Sequence, residues 1–189
     1  MINTADFIYS NMVWSIMDFK DGINTMLMNK IIGQLSASLS HYSKVLAIRL
    51  DFHSQIETET NQSISALFKQ LITKLKRRYQ CKIGYVWVRE QGEASNKPHY
   101  HSALILNGHK VYHPSKIIKQ LMADIELNPY MTCYVPENCY YQVQRNNLES
   151  QQALIYRLSY LAKNNTKGKR PTQTKDYQTS RIKPHEPNK

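Results

Sequence analysis

The sequence predicts an α+β protein with a central antiparallel sheet and helices packed on its faces, in the ferredoxin-like or RRM-like manner. Three observations carry that expectation. Apolar stripes at three- and four-residue spacing are interleaved with short runs of period two. Two of the strand-like runs are separated by only the eight residues QGEASNKP, as in an antiparallel hairpin with a long loop. The 189 residues suit one core.

Taken in order, MINTADFIYSNMVWSIMDFKDG carries no readable period and is left unassigned. Ile23, Met26, Leu27, Ile31, Ile32, Leu35 and Leu39 then mark an amphipathic helix ending near His41, so residues 1–43 are expected to be an N-terminal helical segment. In KVLAIRLDFH, residues 44–53, Val45, Ala47, Arg49 and Asp51 alternate with Leu46, Ile48, Leu50 and Phe52, a strand with one apolar and one partly polar face. Residues 61–80 place Ile64, Leu67, Phe68, Leu71, Ile72 and Leu75 on one stripe, with cations at the end where the helix dipole favours them. KIGYVWVRE (82–90) is β-branched and aromatic, and HYHSALILN (99–107) completes the hairpin.

A further helix is expected from Pro114 to about Leu127, a strand at CYYQVQ (139–144), and a last helix over 148–163. From Asn164 onward apolar residues nearly vanish. Residues 163–189 hold eight Lys or Arg against two acids, more than half of the chain's excess charge of +11. Residues 164–189 are therefore expected to be a flexible basic tail adding salt-sensitive phosphate contacts.

The charge of +11 and a pI near 9.5 point to a polyanionic partner, nucleic acid first and an anionic membrane surface second. Cys81, Cys133 and Cys139 have no CxxC spacing, which argues against a disulfide framework or a zinc knuckle and for a reducing compartment. No apolar run approaches the roughly 20 residues that span a bilayer, and no charged n-region with a cleavage site is visible. The expectation is a cytoplasmic protein with no membrane partner.

KPHYHSALILNG holds the chemistry. On a strand, His99 and His101 face the same side about 6.5 Å apart, with Tyr100 on the other. Two imidazoles so placed can share one metal ion, and a carboxylate would complete a facial set with open positions for water and substrate. Glu90, returning beside His99 across the hairpin, is the leading third ligand; Glu93 in the loop and Asp51 on the other internal strand are alternatives. On the last helix Tyr156, Tyr160 and Lys163 are spaced i, i+4 and i+7, and so share a face. A phenol is a poor nucleophile until a cation or a base assists it, and a lysine one turn away supplies a cation.

REQGEASNKPHYHSALILN followed by YRLSYLAKN resembles the HUH endonuclease superfamily. Together with VLAIRLDFH upstream and TSRIKP downstream, the elements WVRE, KPHYH and YLAK are similar in kind and order to filamentous-phage (inovirus) replication initiators and their prophage-borne relatives. The resemblance implies an HUH-type endonuclease domain over residues 44–163. It implies rolling-circle initiation at single-stranded DNA or an origin hairpin, with His99, His101 and Glu90 holding Mg²⁺ or Mn²⁺. Tyr160 would be the nucleophile that keeps the 5′ phosphate, Lys163 its lysine, and Tyr156 either a second nucleophile or a packing residue. Arg49, Lys76, Arg77, Arg78 and Lys97, with Lys167, Lys169 and Arg170 of the tail, are expected to hold the flanking strand, and Tyr85 and Trp87 to offer stacking faces. No Walker A motif is present, so unwinding and synthesis would fall to a host helicase and polymerase. The competing expectation is a non-catalytic nucleic-acid-binding module; the aromatic RNP pattern of an RRM is not found.

Overall fold

A computed structural model describes residues 3–91, 97–164 and 173–186. Its main sheet is built on β3 (Lys44–Ser54), β4 (Gly84–Glu90) and β5 (His99–Asn107), joined by helix α2 (Gln62–Tyr79) between β3 and β4. Helix α3 (Ser115–Glu126) then leads to two short strands, β6 (Met131–Tyr134) and β7 (Tyr140–Gln144). Both lie against the same edge of β3, β6 along residues 51–54 and β7 along 44–48. Pro136, which has no N–H to give a ladder, lies in the gap between them. Every pairing is antiparallel, and the order β6/β7–β3–β5–β4 with the connection β-α-β-β-α-β is the split βαβ arrangement expected from the sequence.

The period of two divides each strand between two cores. Leu46, Ile48, Leu50 and Phe52 of β3, Trp87 of β4 and Tyr100, Leu104 and Leu106 of β5 pack under α2 and α3. Val45 and Ala47, Val86 and Val88, and Ala103 and Ile105 face the other way, under α1 (Thr25–His41) and α4 (Leu148–Ser159). Both of those helices begin at an asparagine whose side chain accepts a backbone N–H, Asn24 from Leu27 and Asn147 from Ser150.

Three features depart from the sequence expectations. Residues 1–43 are only partly helical: β1 (Thr4–Tyr9) and β2 (Met12–Met17) form a hairpin before α1. Its two-residue turn places Ser10 and Asn11 at positive φ without the glycine that signals such turns in a sequence. Trp14 and Ile16 of this hairpin join the core of α1 and α4, so the N-terminal segment is continuous with the rest. The last helix is α-helical only to Ser159 and tightens into a 3-10 turn, Tyr160–Ala162.

The third departure concerns the tail. Residues 173–186 run along the sheet edge, where β8 (Tyr177–Thr179) pairs with β4. Beyond it, Gln34 of α1 bonds both the N–H and the C=O of Ile182, and Ser40 accepts from the N–H of His185. A polar segment with too little apolar surface for a core is fixed here by backbone pairing and amide side chains, which leave no hydropathy signal. No helix among the described residues is long and apolar enough to cross a membrane.

Candidate active site

At one end of the sheet the apolar face under α1 and α4 turns polar. Along β3 the inward residues change from Val45 and Ala47 to Arg49, Asp51 and His53; along β5 from Ile105 and Ala103 to His101 and His99; along β4 from Val86 and Val88 to Glu90. Register aligns these changes. His53, His99 and Glu90 stand in one row across the three strands, and Asp51, His101 and Val88 in the next.

Glu90 is 1% exposed, with Oε2 3.3 Å from Nε2 of His99 and 3.5 Å from Nε2 of His101. The three donors lie within 4.8 Å of one another. Ligands placed cis on an octahedral ion with bonds of about 2.1 Å are about 3 Å apart, so the observed spacings need only a small contraction to close on a hard divalent cation. An N, N, O set drawn from one side also leaves coordination positions open.

His101 is oriented from behind. Its Nδ1 lies 2.9 Å from Oδ1 of Asp51 and 2.8 Å from Nη2 of Arg49, and its Nε2 faces Glu90; in the neutral form that gives its Nδ1 proton to Asp51, Nε2 is the nitrogen open to a metal. Arg49 bonds the same Asp51 oxygen through Nε at 3.2 Å and Nη2 at 2.9 Å. Burial opposes the Asp51 carboxylate, but the hydrogen bond from His101 and the charge of Arg49 outweigh it and hold its pKa below the ordinary value. Burial likewise opposes the His101 imidazolium, and the hydrogen bonds to Asp51 and Glu90 outweigh it, leaving the pKa raised. His53 stacks on His99 with ring centroids 5.8 Å apart, and burial followed by the neighbouring His99 charge lowers its pKa.

The 3-10 turn after α4 brings Tyr160 over this end of the sheet. Its ring meets that of His101 edge-on at 5.2 Å, and the Arg49 guanidinium lies 5.5 Å from the ring centroid. Lys163 Nζ donates to the Tyr160 hydroxyl at 2.6 Å and lies 3.1 Å from Glu90 Oε2. One ammonium therefore links the phenol to the carboxylate that also faces both imidazoles, and it supplies part of the positive charge that a buried carboxylate requires.

The N-terminal segment sets the position of this turn. Gln152 of α4 bonds both the N–H and the C=O of Ser15 on β2, and Ser159 Oγ accepts from Met17 N–H. Asn24 N–H bonds Ala162 C=O, and Asn164 N–H bonds Gly22 C=O. Gly22 itself has φ +67, where a side chain would be strained. Phe19 closes the group with an edge contact to Tyr160 at 6.2 Å.

The structure thus assembles Glu90, His99, His101, Tyr160 and Lys163, and gives Asp51 the orienting position rather than a ligand position. Tyr156 lies one helical turn before Tyr160, half-buried, and among the described residues no ring contact or hydrogen bond joins its side chain to the histidines. Arg49, expected to hold a flanking strand, is instead buried beneath Tyr160 and committed to Asp51. Lys76, Arg77 and Arg78 are exposed at the far end of α2. That helix starts at the site end of the opposite face, where Thr60 and Asn61 hold Arg89, and its rise carries the trio roughly 21–24 Å from that start. Lys97 is exposed two residues before His99. Lys167, Lys169, Arg170 and Glu93 lie outside the described residues. Trp87 is core, whereas Tyr85 is half-exposed.

His53 was not singled out from sequence, although the alternation Arg49, Asp51, His53 places it on the same face. Burial, followed by the Asp51 charge, pushes the Cys133 thiol up to about 12, which disfavours its thiolate.

Fold and site together define an α+β domain with a histidine-histidine-glutamate cluster under a lysine-bonded tyrosine. The family model for the YagK/YfjJ C-terminal domain matches residues 8–175, and the chain belongs to that family. No curated protein and no solved structure matches it.

Proposed function

We propose that the protein is a metal-dependent endonuclease that nicks single-stranded DNA through Tyr160, the first step of rolling-circle initiation. One observation carries this reading: the Tyr160 hydroxyl is bonded to a lysine that shares Glu90 with His99 and His101. A merely structural cluster has no reason to hold a phenol oxygen, rather than an apolar group, against the cationic side of the donor set.

In this reaction the Tyr160 oxygen forms a bond to phosphorus and the bond from phosphorus to O3′ breaks. The phenol gives up its proton to water as its bond to phosphorus forms, the 5′ phosphate stays on the tyrosine, and O3′ takes up a proton from water to leave as a hydroxyl. Lys163 stabilises negative charge as it develops on the phenol oxygen. Asp51 fixes the ring of His101, and Arg49 supports Asp51 from below the tyrosine. Mg²⁺ or Mn²⁺, held by His99, His101 and Glu90, would polarise the scissile phosphate and offset its charge. The resemblance of KPHYH and YLAK to replication initiators supports the same roles for His99, His101, Glu90, Tyr160 and Lys163, and the half-buried Tyr156, which among the described residues makes no ring contact or hydrogen bond with the histidines, is assigned to packing.

The test is incubation of the purified chain with end-labelled single-stranded oligonucleotides from its own replicon, with Mn²⁺ or with EDTA, followed by a denaturing gel. A boiling-resistant protein–DNA adduct is expected with metal and not with EDTA. If no adduct forms and binding is equal in EDTA, the protein is a binding module and the nuclease assignment fails.

A further inference from the structure

A broad concavity lies away from the proposed metal ligands, along the sheet edge formed by β8. It is a groove of about 1330 Å³ between α1, the end of α2 and the extended segment that follows β8. Pockets that enclose small ligands occupy roughly 300–1,000 Å³, so its size favours a polymer lying along it. Six cations line it: Lys30, Lys76, Lys82, Lys175, Arg181 and Lys183. All are exposed, and among the described residues none is in an ion pair with a carboxylate. Asp176 is the one acid in the lining.

Three tyrosines are set among these cations, Tyr9, Tyr85 and Tyr177. Lys30 bonds the Tyr177 hydroxyl at 3.2 Å and lies 4.9 Å from the ring centroid, holding that ring at the groove wall. Cations that follow a backbone, interrupted by aromatic faces, are what an unpaired strand requires; in a duplex the base faces are already stacked and unavailable.

The groove also starts near the site. Tyr177 is paired with Val88 and Val88 with His101, so two strand spacings, about 10 Å, separate the first residue of β8 from the metal ligand. From there residues 177–184 extend for about 23 Å if fully extended, enough for several nucleotides.

We infer that this groove binds single-stranded nucleic acid and carries the DNA flanking the nicked phosphate. The choice of DNA rests on the nicking proposal, whereas the class of ligand rests on the groove.

The experiment is fluorescence anisotropy of the full chain with a labelled dT oligonucleotide of about 15 nucleotides, in EDTA so that the metal ligands play no part, over a series of salt concentrations. The triple variant Lys82→Glu, Arg181→Glu, Lys183→Glu is expected to bind at least tenfold more weakly. Its slope of log K against log salt should be smaller by about 2, because each phosphate contact on a single strand contributes about 0.7. Should that variant fold poorly, the glutamine triple must show the same loss of slope. Tyr177→Leu should weaken dT binding while leaving the slope near that of the parent. Unchanged affinity and slope in the folded triple variant would overturn the inference. So would tighter binding of a duplex of equal length, or equal displacement by polyglutamate, which has charge but no bases. An adduct formed normally by the triple variant on a saturating oligonucleotide would leave the nicking reading intact whatever the groove does; failure of the parent chain to form an adduct while its groove still binds would sink that reading alone.

Discussion

The two faces of the same strand ends hold buried polar groups of opposite character. On the α2/α3 side Arg89 is 2% and Tyr100 1% exposed. The guanidinium gives hydrogen bonds to the C=O of Thr58 and of Thr60, to Asn61 and Gln91, and to the Tyr100 hydroxyl, which in turn bonds Asn61. Both terminal nitrogens of the guanidinium are bonded, only its Nε lacks a hydrogen-bond partner among the described residues, and the network closes on the loop that leads into α2. One residue along the chain, Glu90, His99 and His101 face the other way, with the His99 side chain 29% exposed. That cluster gathers lone pairs on one point and adds a phenol. Burial of polar groups is common to both faces; convergence of acceptors beside an accessible edge belongs to one. The first face fixes the strand ends; the second is the one to which the proposed function assigns chemistry on an outside ligand.

Substitutions should separate the two. Tyr160→Phe is expected to lower adduct formation by on the order of 10⁴-fold or more, as loss of a nucleophile does, with the denaturation midpoint nearly unchanged. Arg89→Met should do the reverse. Stranding the Tyr100 hydroxyl, Asn61 and two backbone carbonyls should cost about 2–4 kcal/mol in urea unfolding, while the folded protein keeps its metal affinity by titration calorimetry.

Asp51→Asn tests the link behind the ligands. Metal affinity should fall roughly 10- to 100-fold, the usual effect of removing an orienting carboxylate, and calorimetry reads it directly. The pH dependence of the metal-free protein has a definite sign. Because His101 has a raised pKa in the fold, its contribution to stability is fully present below the ordinary histidine value and is lost as pH rises through the raised value. Metal binding runs oppositely, since the ligand must be neutral. Thermal melts in EDTA between about pH 5 and 9 should lose this term in His101→Gln. The smallest effect is expected from Gly22→Ala, about 1 kcal/mol for a side chain at positive φ, and it should lower adduct formation through the turn that holds Tyr160.

Much of the second face was legible in the sequence because a period of two is rigid. His99 and His101 had to share a side, and the hairpin had to bring Glu90 back to them. The first face was not legible: Arg89 and Tyr100 read simply as the residues between the interesting ones, because their partners Thr58, Thr60 and Asn61 come from a loop with no pattern of its own. Arg49 was misread for a related reason, since charge alone does not tell a surface cation from one committed to Asp51. The β1–β2 hairpin escaped because its turn uses Ser10 and Asn11 in place of glycine, and β8 because three polar residues on a sheet edge carry no apolar signal.

The central claim is that the phenol resting on Lys163 is the group that attacks DNA. The most direct measurement is protease digestion of the covalent adduct followed by mass spectrometry of the peptide that retains the nucleotide. A nucleotide on Tyr160 is the result this account predicts. A nucleotide on Tyr156, or on any residue outside the 3-10 turn, would contradict it.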